Sequence, residues 1–198
     1  MRELYIKNLC IEITRRCNMR CTHCMRGDAE SVDIPLKHIS NLLRHVRHIH
    51  HFNITGGEPS LNVRAIRHIL ERVRAYGITV NDFYIVTNGS ATSRSEEFIE
   101  ACAALYEYQE EKEQDSGHML EMSDDRFHDP AEPAATRHFP RIPFSESGDR
   151  PSVSSFSGKA AARRGFRTLF MGFILRRRTT FTATSVSMLK AWFSPTGT

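Results

Sequence analysis

Leu9-Cys10-Ile11-Glu12-Ile13-Thr14 runs straight into Arg15-Arg16-Cys17-Asn18-Met19-Arg20-Cys21-Thr22-His23-Cys24. The first six residues alternate and are rich in β-branched types, which predicts a strand. The three cysteines follow at once, so they lie on a loop that leaves a strand end.

Downstream, the pattern repeats. Pro35 suits a first helical turn, and Leu36, Ile39, Leu43, Val46 and Ile49 recur at three- and four-residue spacings, which predicts a helix over 35–50. Phe52 to Thr55 reads as a short strand, broken by Gly56-Gly57-Glu58-Pro59. A second helix runs from about Asn62 to Tyr76 and stops at Gly77. Thr79 to Thr87 is a third strand, ended by Asn88-Gly89. A third helix opens on Ser93-Arg94-Ser95-Glu96, a capping-box pattern, and runs to near Gln114; His118 to Ser123 forms a fourth strand. Strand–helix alternation of this kind predicts an α/β fold with a parallel sheet, either open or part of a barrel. Sites in such folds form on loops at the C-terminal strand ends, where the cysteines, the Gly-Gly-Glu and the Thr-Asn-Gly all fall.

Size and charge set the limits. The chain has 198 residues, of which 40% are hydrophobic and 25% charged, ordinary for a soluble globular protein. No apolar run reaches the length of a membrane span, and the first residues lack the apolar segment of a signal peptide. The expected location is cytoplasmic, with no membrane partner. The net charge of +4 is unevenly spread: residues 1–149 hold 18 Lys and Arg against 23 Asp and Glu, whereas 150–198 hold nine Lys and Arg and no acid. Arg176 to Arg178 sits in no recognition module, so nucleic acid is not indicated.

Five cysteines, three of them within eight positions, do not make a disulfide framework; such clustering points to metal or redox chemistry. Thiolates on one short loop can share an iron–sulfur cluster. Three of them hold three irons of a four-iron cube and leave the fourth open, the logic that separates catalytic from structural metal sites. The competing reading is a zinc knuckle completed by His23 or another of the ten histidines. Cys10 within the first strand and Cys102 on the apolar side of a helix read as packing residues. His38, His45, His48, His50 and His51 read as solvated helix residues, and the acidic run from Glu107 to Asp115 as a solvated helix end.

Cys17-x3-Cys21-x2-Cys24 after a first strand resembles the signature of the radical S-adenosylmethionine (radical SAM) superfamily. Thr14 and Asn18 resemble common flanks. Gly56-Gly57-Glu58-Pro59 resembles the family's Gly-Gly-Glu motif, and Thr87-Asn88-Gly89 a frequent third-strand ending. The resemblance covers about residues 9–128. It implies a partial (β/α) barrel of the radical SAM type, here incomplete, with an irregular C-terminal tail. It also implies a four-iron four-sulfur cluster on Cys17, Cys21 and Cys24, and S-adenosylmethionine contacted by His23, Gly56, Gly57, Glu58, Pro59, Asn88, Ser123 and Asp125. The implied partners are a reductant protein such as flavodoxin or ferredoxin and an unknown substrate, a peptide or a small molecule. The implied activity is formation of a 5′-deoxyadenosyl radical that abstracts hydrogen. Two alternatives stand beside it: a small glycyl-radical activating enzyme, and a non-catalytic zinc- or cluster-binding module. No catalytic side chain is assignable.

Beyond about Pro130 the pattern dissolves. Five prolines from Pro130 to Pro151 interrupt any helix, and 14 of the 49 residues from Arg150 onward are Ser or Thr. The domain reading is therefore a core over 1–130 and an irregular, disordered or out-of-frame tail over 131–198. Either the protein is a natural short variant, or its tail is translated in a shifted frame entered between Pro130 and Pro151. Read one base earlier, codons permitted by Ser187 to Thr198 spell Tyr-Ala-Lys-Gly-Leu-Val-Phe-Pro-Asn-Gly-Asp. A tail of that origin would leave the sheet without its closing strands and the site impaired.

Overall fold

The computed structural model describes residues 4–21, 24, 26–112 and 119–123, and the backbone of 144–147, 171–175 and 179–183. Three strand–helix units come first: β1 (Leu4–Glu12), α1 (Leu36–Leu43), β2 (Val46–Thr55), α2 (Val63–Tyr76), β3 (Thr79–Thr87) and α3 (Glu96–Tyr108). Strand β4 (Leu120–Ser123) follows, then the short strands β5 (Phe144–Ser147), β6 (Met171–Leu175) and β7 (Thr179–Ala183). The described strands form one open sheet in the order β5-β4-β3-β2-β1-β6-β7. Strands β1 to β5 are parallel neighbours, whereas β6 pairs antiparallel with β1, and β7 antiparallel with β6. The α/β partial barrel expected from the sequence is this sheet. Strands β5 to β7 fall in the stretch whose sequence shows no sustained period.

One face of the sheet is apolar. Leu9, Ile11, Ile13, Phe52, Ile54, Phe83 and Ile85 are buried in one core with Ile39 and Leu43 of α1, Ile66, Ile69 and Val73 of α2, and Phe98 and Leu105 of α3. Each fully buried Ile or Phe contributes roughly 1.5–3 kcal/mol. The alternate positions Cys10, Glu12, Asn53, Thr55 and Tyr84 are only half-buried. The second face therefore keeps a polar character where it approaches the cysteine loop.

The helix predicted over 35–50 ends at Leu43, and β2 already begins at Val46. The reason is a bulge. Leu4 pairs with Val46 but Tyr5 with His48, so Arg47 is an extra residue. An inserted residue lets positions three apart share a face, and Val46 and Ile49 are both buried. The bulge thus imitates helical spacing, and His48, His50 and His51 lie on a strand rather than on a helix. The start of α3 also differs. Ser95 caps it by accepting from the Phe98 N–H at 3.3 Å, while Ser93 is buried and donates to the Ser90 carbonyl. The helix stops at Tyr108, short of Gln114. Helix α2 ends as predicted at Gly77, whose φ of +61° is left-handed.

Candidate functional site

The cysteine loop springs from a pinned base. The Ile13 N–H donates to the Thr55 carbonyl at 2.8 Å, prolonging the β1–β2 ladder past β1. On the other side, Arg15 N–H donates to Val32 O at 2.8 Å, Glu30 N–H to Arg15 O at 3.0 Å and Ile34 N–H to Ile13 O at 3.0 Å. The two ends of the loop are thereby tied together. Asp33 strengthens the tie, accepting from the Thr14 hydroxyl at 2.6 Å and from Arg16 Nε at 3.0 Å. Arg26 fastens the far side of the loop to the sheet, with Nη2 2.6 Å from Thr55 Oγ1 and Nε 3.3 Å from Glu12 Oε1.

The Gly56-Gly57 pair explains itself here. The Gly57 N–H donates to the Thr14 carbonyl and the Glu58 N–H to the Arg16 carbonyl, both at 2.8 Å. A Cβ at Gly56 would meet Thr14 O at 2.6 Å, and one at Gly57 would meet Arg16 O at 2.2 Å. Backbone must touch backbone at both positions, and only glycine allows it.

Glu58 sits beneath this contact and is 1% exposed. Its carboxylate accepts from Ser60 N–H at 3.0 Å, Thr87 Oγ1 at 2.8 Å and Asn88 N–H at 2.8 Å. It therefore clamps the end of β2 to the end of β3. Burial pushes its pKa above the usual carboxylate range, and the hydrogen bonds from Asn88, Ser60 and Thr87 oppose that rise. Pro59 opens a 3₁₀ turn over Pro59–Asn62. Asn88 reaches the cysteine loop: its Nδ2 lies 2.9 Å from Asn18 Oδ1 and 3.8 Å from Cys17 Sγ.

Cys17, Cys21 and Cys24 line one cavity together with Gly57, Met19, Glu12, Asp28 and the guanidinium-bearing Arg15, Arg20 and Arg26. The cavity is small, about 40 Å³, and partly open to solvent. Cys24 N–H donates to Cys21 O at 3.2 Å, so these two stand on a tight turn. Burial raises the Cys17 thiol pKa; the Met19 N–H opposes the rise, the charges of Glu58 and Cys24 add to it, and the Asn88 amide opposes it. Among the described residues, no three His, Cys, Asp or Glu side chains converge on a single ion position. A four-iron cube takes one thiolate per iron, so its ligands need not meet at a point. Three thiols on one cavity wall, with cationic groups beside them, match that donor set.

The structure thus brings Cys17, Cys21, Cys24 and Gly57 into one cavity and links Glu58 and Asn88 to it by hydrogen bonds. Ser123 ends β4 and pairs with Ser147 of β5; it is not among the residues that line the cavity. His23 and Asp125 lie outside the described residues. Sequence reasoning missed Asp33 and Arg26, the two residues that pin the loop. Their only signal is a charged side chain flanking a metal-type loop, which periodicity does not detect.

A loop that carries three thiols and leaves the end of the first strand of a parallel α/β sheet is the class of site found here. The profile of the Radical SAM superfamily matches residues 11–135, and the chain belongs to that superfamily. An uncharacterised protein of Methanocaldococcus jannaschii is 29% identical over 69 residues, which is 33% of this chain and 24% of that protein. Among solved structures, SuiB of Streptococcus suis, bound to its precursor peptide SuiA, is similar at 19% identity. That match covers 61% of this chain and 24% of SuiB, with a TM-score of 0.39. The structure of anSMEcpe with bound AdoMet and a Kp18Cys peptide is similar at 19% identity over 60% of this chain and 31% of that one, with a TM-score of 0.41. The matches span about a quarter to a third of these proteins. No helix among the described residues is long and apolar enough to cross a membrane.

Proposed function

We propose that this chain holds a four-iron four-sulfur cluster on Cys17, Cys21 and Cys24 and binds S-adenosylmethionine beside it, as the radical-generating part of a cytoplasmic enzyme. The observation that carries the reading is the shared cavity of the three thiols and Gly57, built where parallel α/β folds place their sites. What the cluster and S-adenosylmethionine supply when bound is a one-electron cleavage yielding a 5′-deoxyadenosyl radical that takes hydrogen from the substrate.

The chain's own residues do the placing. Cys17, Cys21 and Cys24 hold three irons, and the absence of a fourth thiol in the motif leaves one iron for the cofactor. Gly56 and Gly57 let the β2 loop pack backbone to backbone on Thr14 to Arg16, at the base of the cysteine loop. Glu58, Pro59 and Asn88 shape the cofactor's amino-acid end, with His23, Ser123 and Asp125 assigned to its nucleoside. Asp33 and Arg26 keep the loop closed over the sheet. The electron comes from a reductant protein such as flavodoxin or ferredoxin, and the substrate is a peptide or a small molecule. Residues 1–130 form this core. Residues 131–198 are an irregular tail that goes out of frame at a point between Pro130 and Pro151, which the nucleotide sequence of the gene tests: stop codons throughout the alternative frame would overturn it.

Anaerobic reconstitution with iron and sulfide tests the function. We expect absorbance near ~400 nm and 5′-deoxyadenosine on addition of reductant and S-adenosylmethionine. Stoichiometric zinc with no cofactor cleavage would sink the reading in favour of the metal-binding module.

A further inference from the structure

Asn88 makes contacts that cofactor binding does not require. Its backbone N–H is fixed by Glu58 Oε2 at 2.8 Å. Its side-chain Oδ1 accepts from Ser90 N–H at 3.1 Å. That second bond decides which way the amide faces: the NH₂ group must point the other way, toward Asn18 Oδ1 at 2.9 Å and Cys17 Sγ at 3.8 Å. Both the backbone and the amide are therefore held, and one N–H is aimed at a sulfur of the three-cysteine loop. The Met19 N–H reaches the same sulfur at 3.4 Å.

Resting on the cluster reading above, we propose that Asn88 is a positioning residue that donates a hydrogen bond to the Cys17 sulfur and thereby raises the reduction potential of the cluster. The physical reason is charge. Reduction adds an electron to an already anionic assembly of sulfurs and irons. A fixed N–H dipole at a ligand sulfur stabilises the more negative state, and hydrogen bonds to the sulfurs are among the main determinants of such potentials. A donor locked in place by Glu58 and Ser90 has little reorganisation to undergo when the charge arrives. The Glu58 carboxylate holds the Asn88 backbone, while the Asn88 side chain reaches the sulfur.

Spectroelectrochemical titration of the reconstituted full-length protein tests this. Asn88→Ala removes the donor, and Asn88→Asp replaces it with a negative oxygen. The potentials should fall in the order wild type, Asn88→Ala, Asn88→Asp. In Asn88→Ala the ratio of reduced to oxidised cluster at a fixed applied potential should drop about tenfold, ~59 mV for a one-electron couple. Wild-type potentials in both variants at full iron content would overturn the inference and leave the cluster reading intact. Failure of both variants to assemble a cluster would make Asn88 a loop-assembly residue, which also overturns it. A wild-type chain that assembles no cluster would overturn both readings.

Discussion

Gly57 lies so close to Arg16 that a Cβ on it would sit 2.2 Å from the Arg16 carbonyl oxygen and 2.8 Å from the carbonyl carbon. Both atoms are backbone, and both belong to the base of the cysteine loop, so neither can swing aside. Gly57→Ala should cost about 2–3 kcal/mol as an overpacking lesion. Gly77 provides the contrast: its φ is +61° but nothing lies within 4 Å of an added Cβ. Gly77→Ala should cost only the left-handed penalty, about 1–2 kcal/mol. Urea unfolding midpoints of the two variants decide it, and equal losses would show that the Gly57 contact is slack.

The same contact shows what could be read in advance. Two adjacent glycines before an acid are visible in any sequence, and so is their place at a strand end. Their reason is not, because it depends on residues 14 to 16, some forty positions away, arriving alongside. The α2 boundaries were legible because Asn62 and Gly77 are local signals with local partners. The end of α1 was not, because the bulge at Arg47 puts Val46 and Ile49 on one face of a strand at a spacing that a helix would also produce. Glu58 resisted for a third reason. Carboxylates are seldom buried, and only the meeting of β2 and β3 ends supplies the donors that hold this one.

The five cysteines should separate into two groups. Replacing Cys17, Cys21 or Cys24 singly with Ser should abolish stable iron binding after reconstitution, measured as iron per chain. Cys10→Ala and Cys102→Ala should keep it. Cys102 is fully buried among core side chains and its thiol pKa is raised by that burial, so it packs as a small apolar group. Cys102→Ser should leave iron content unchanged while lowering stability by about 1–3 kcal/mol for the buried hydroxyl. Iron loss in Cys102→Ser without unfolding would contradict the division.

Glu58 gives the protein a pH signature. Its folded pKa is raised by burial, so the native state holds this proton more tightly than the unfolded chain. The stability it contributes is fully present below the ordinary glutamate value of 4.5 and is lost as pH rises through the raised folded value. Glu58→Gln has no such proton to lose. The stability difference between variant and wild type should therefore move in favour of the variant as pH rises from ~4 to ~8. Denaturant titrations of both proteins across that range measure it, and a constant difference would mean that the three hydrogen bonds to the carboxylate cancel its desolvation.

Asn62 joins the start of α2 to the base of the cysteine loop. Its Oδ1 caps the helix by accepting from Ala65 N–H at 3.3 Å, and its Nδ2 donates to the Ile13 carbonyl at 2.8 Å. These are two separable contributions. Asn62→Ser keeps a capping oxygen and loses the donor to Ile13; Asn62→Ala loses both. Loss of a cap costs about 1 kcal/mol, and loss of a buried hydrogen bond about the same. The Ile13 carbonyl keeps its bond from Ile34 N–H, which stops it from being stranded and holds the second cost down. The expected order of stability is wild type, then Asn62→Ser, then Asn62→Ala, in steps of about 1 kcal/mol. Asn62→Asp is the sharper variant. It caps as well as asparagine but sets a carboxylate oxygen against the Ile13 carbonyl, so it should fall below Asn62→Ser despite the favourable charge at a helix N-terminus. If Asn62→Asp proves the most stable of the three, helix capping alone explains this residue, and its reach to Ile13 contributes nothing to holding the loop.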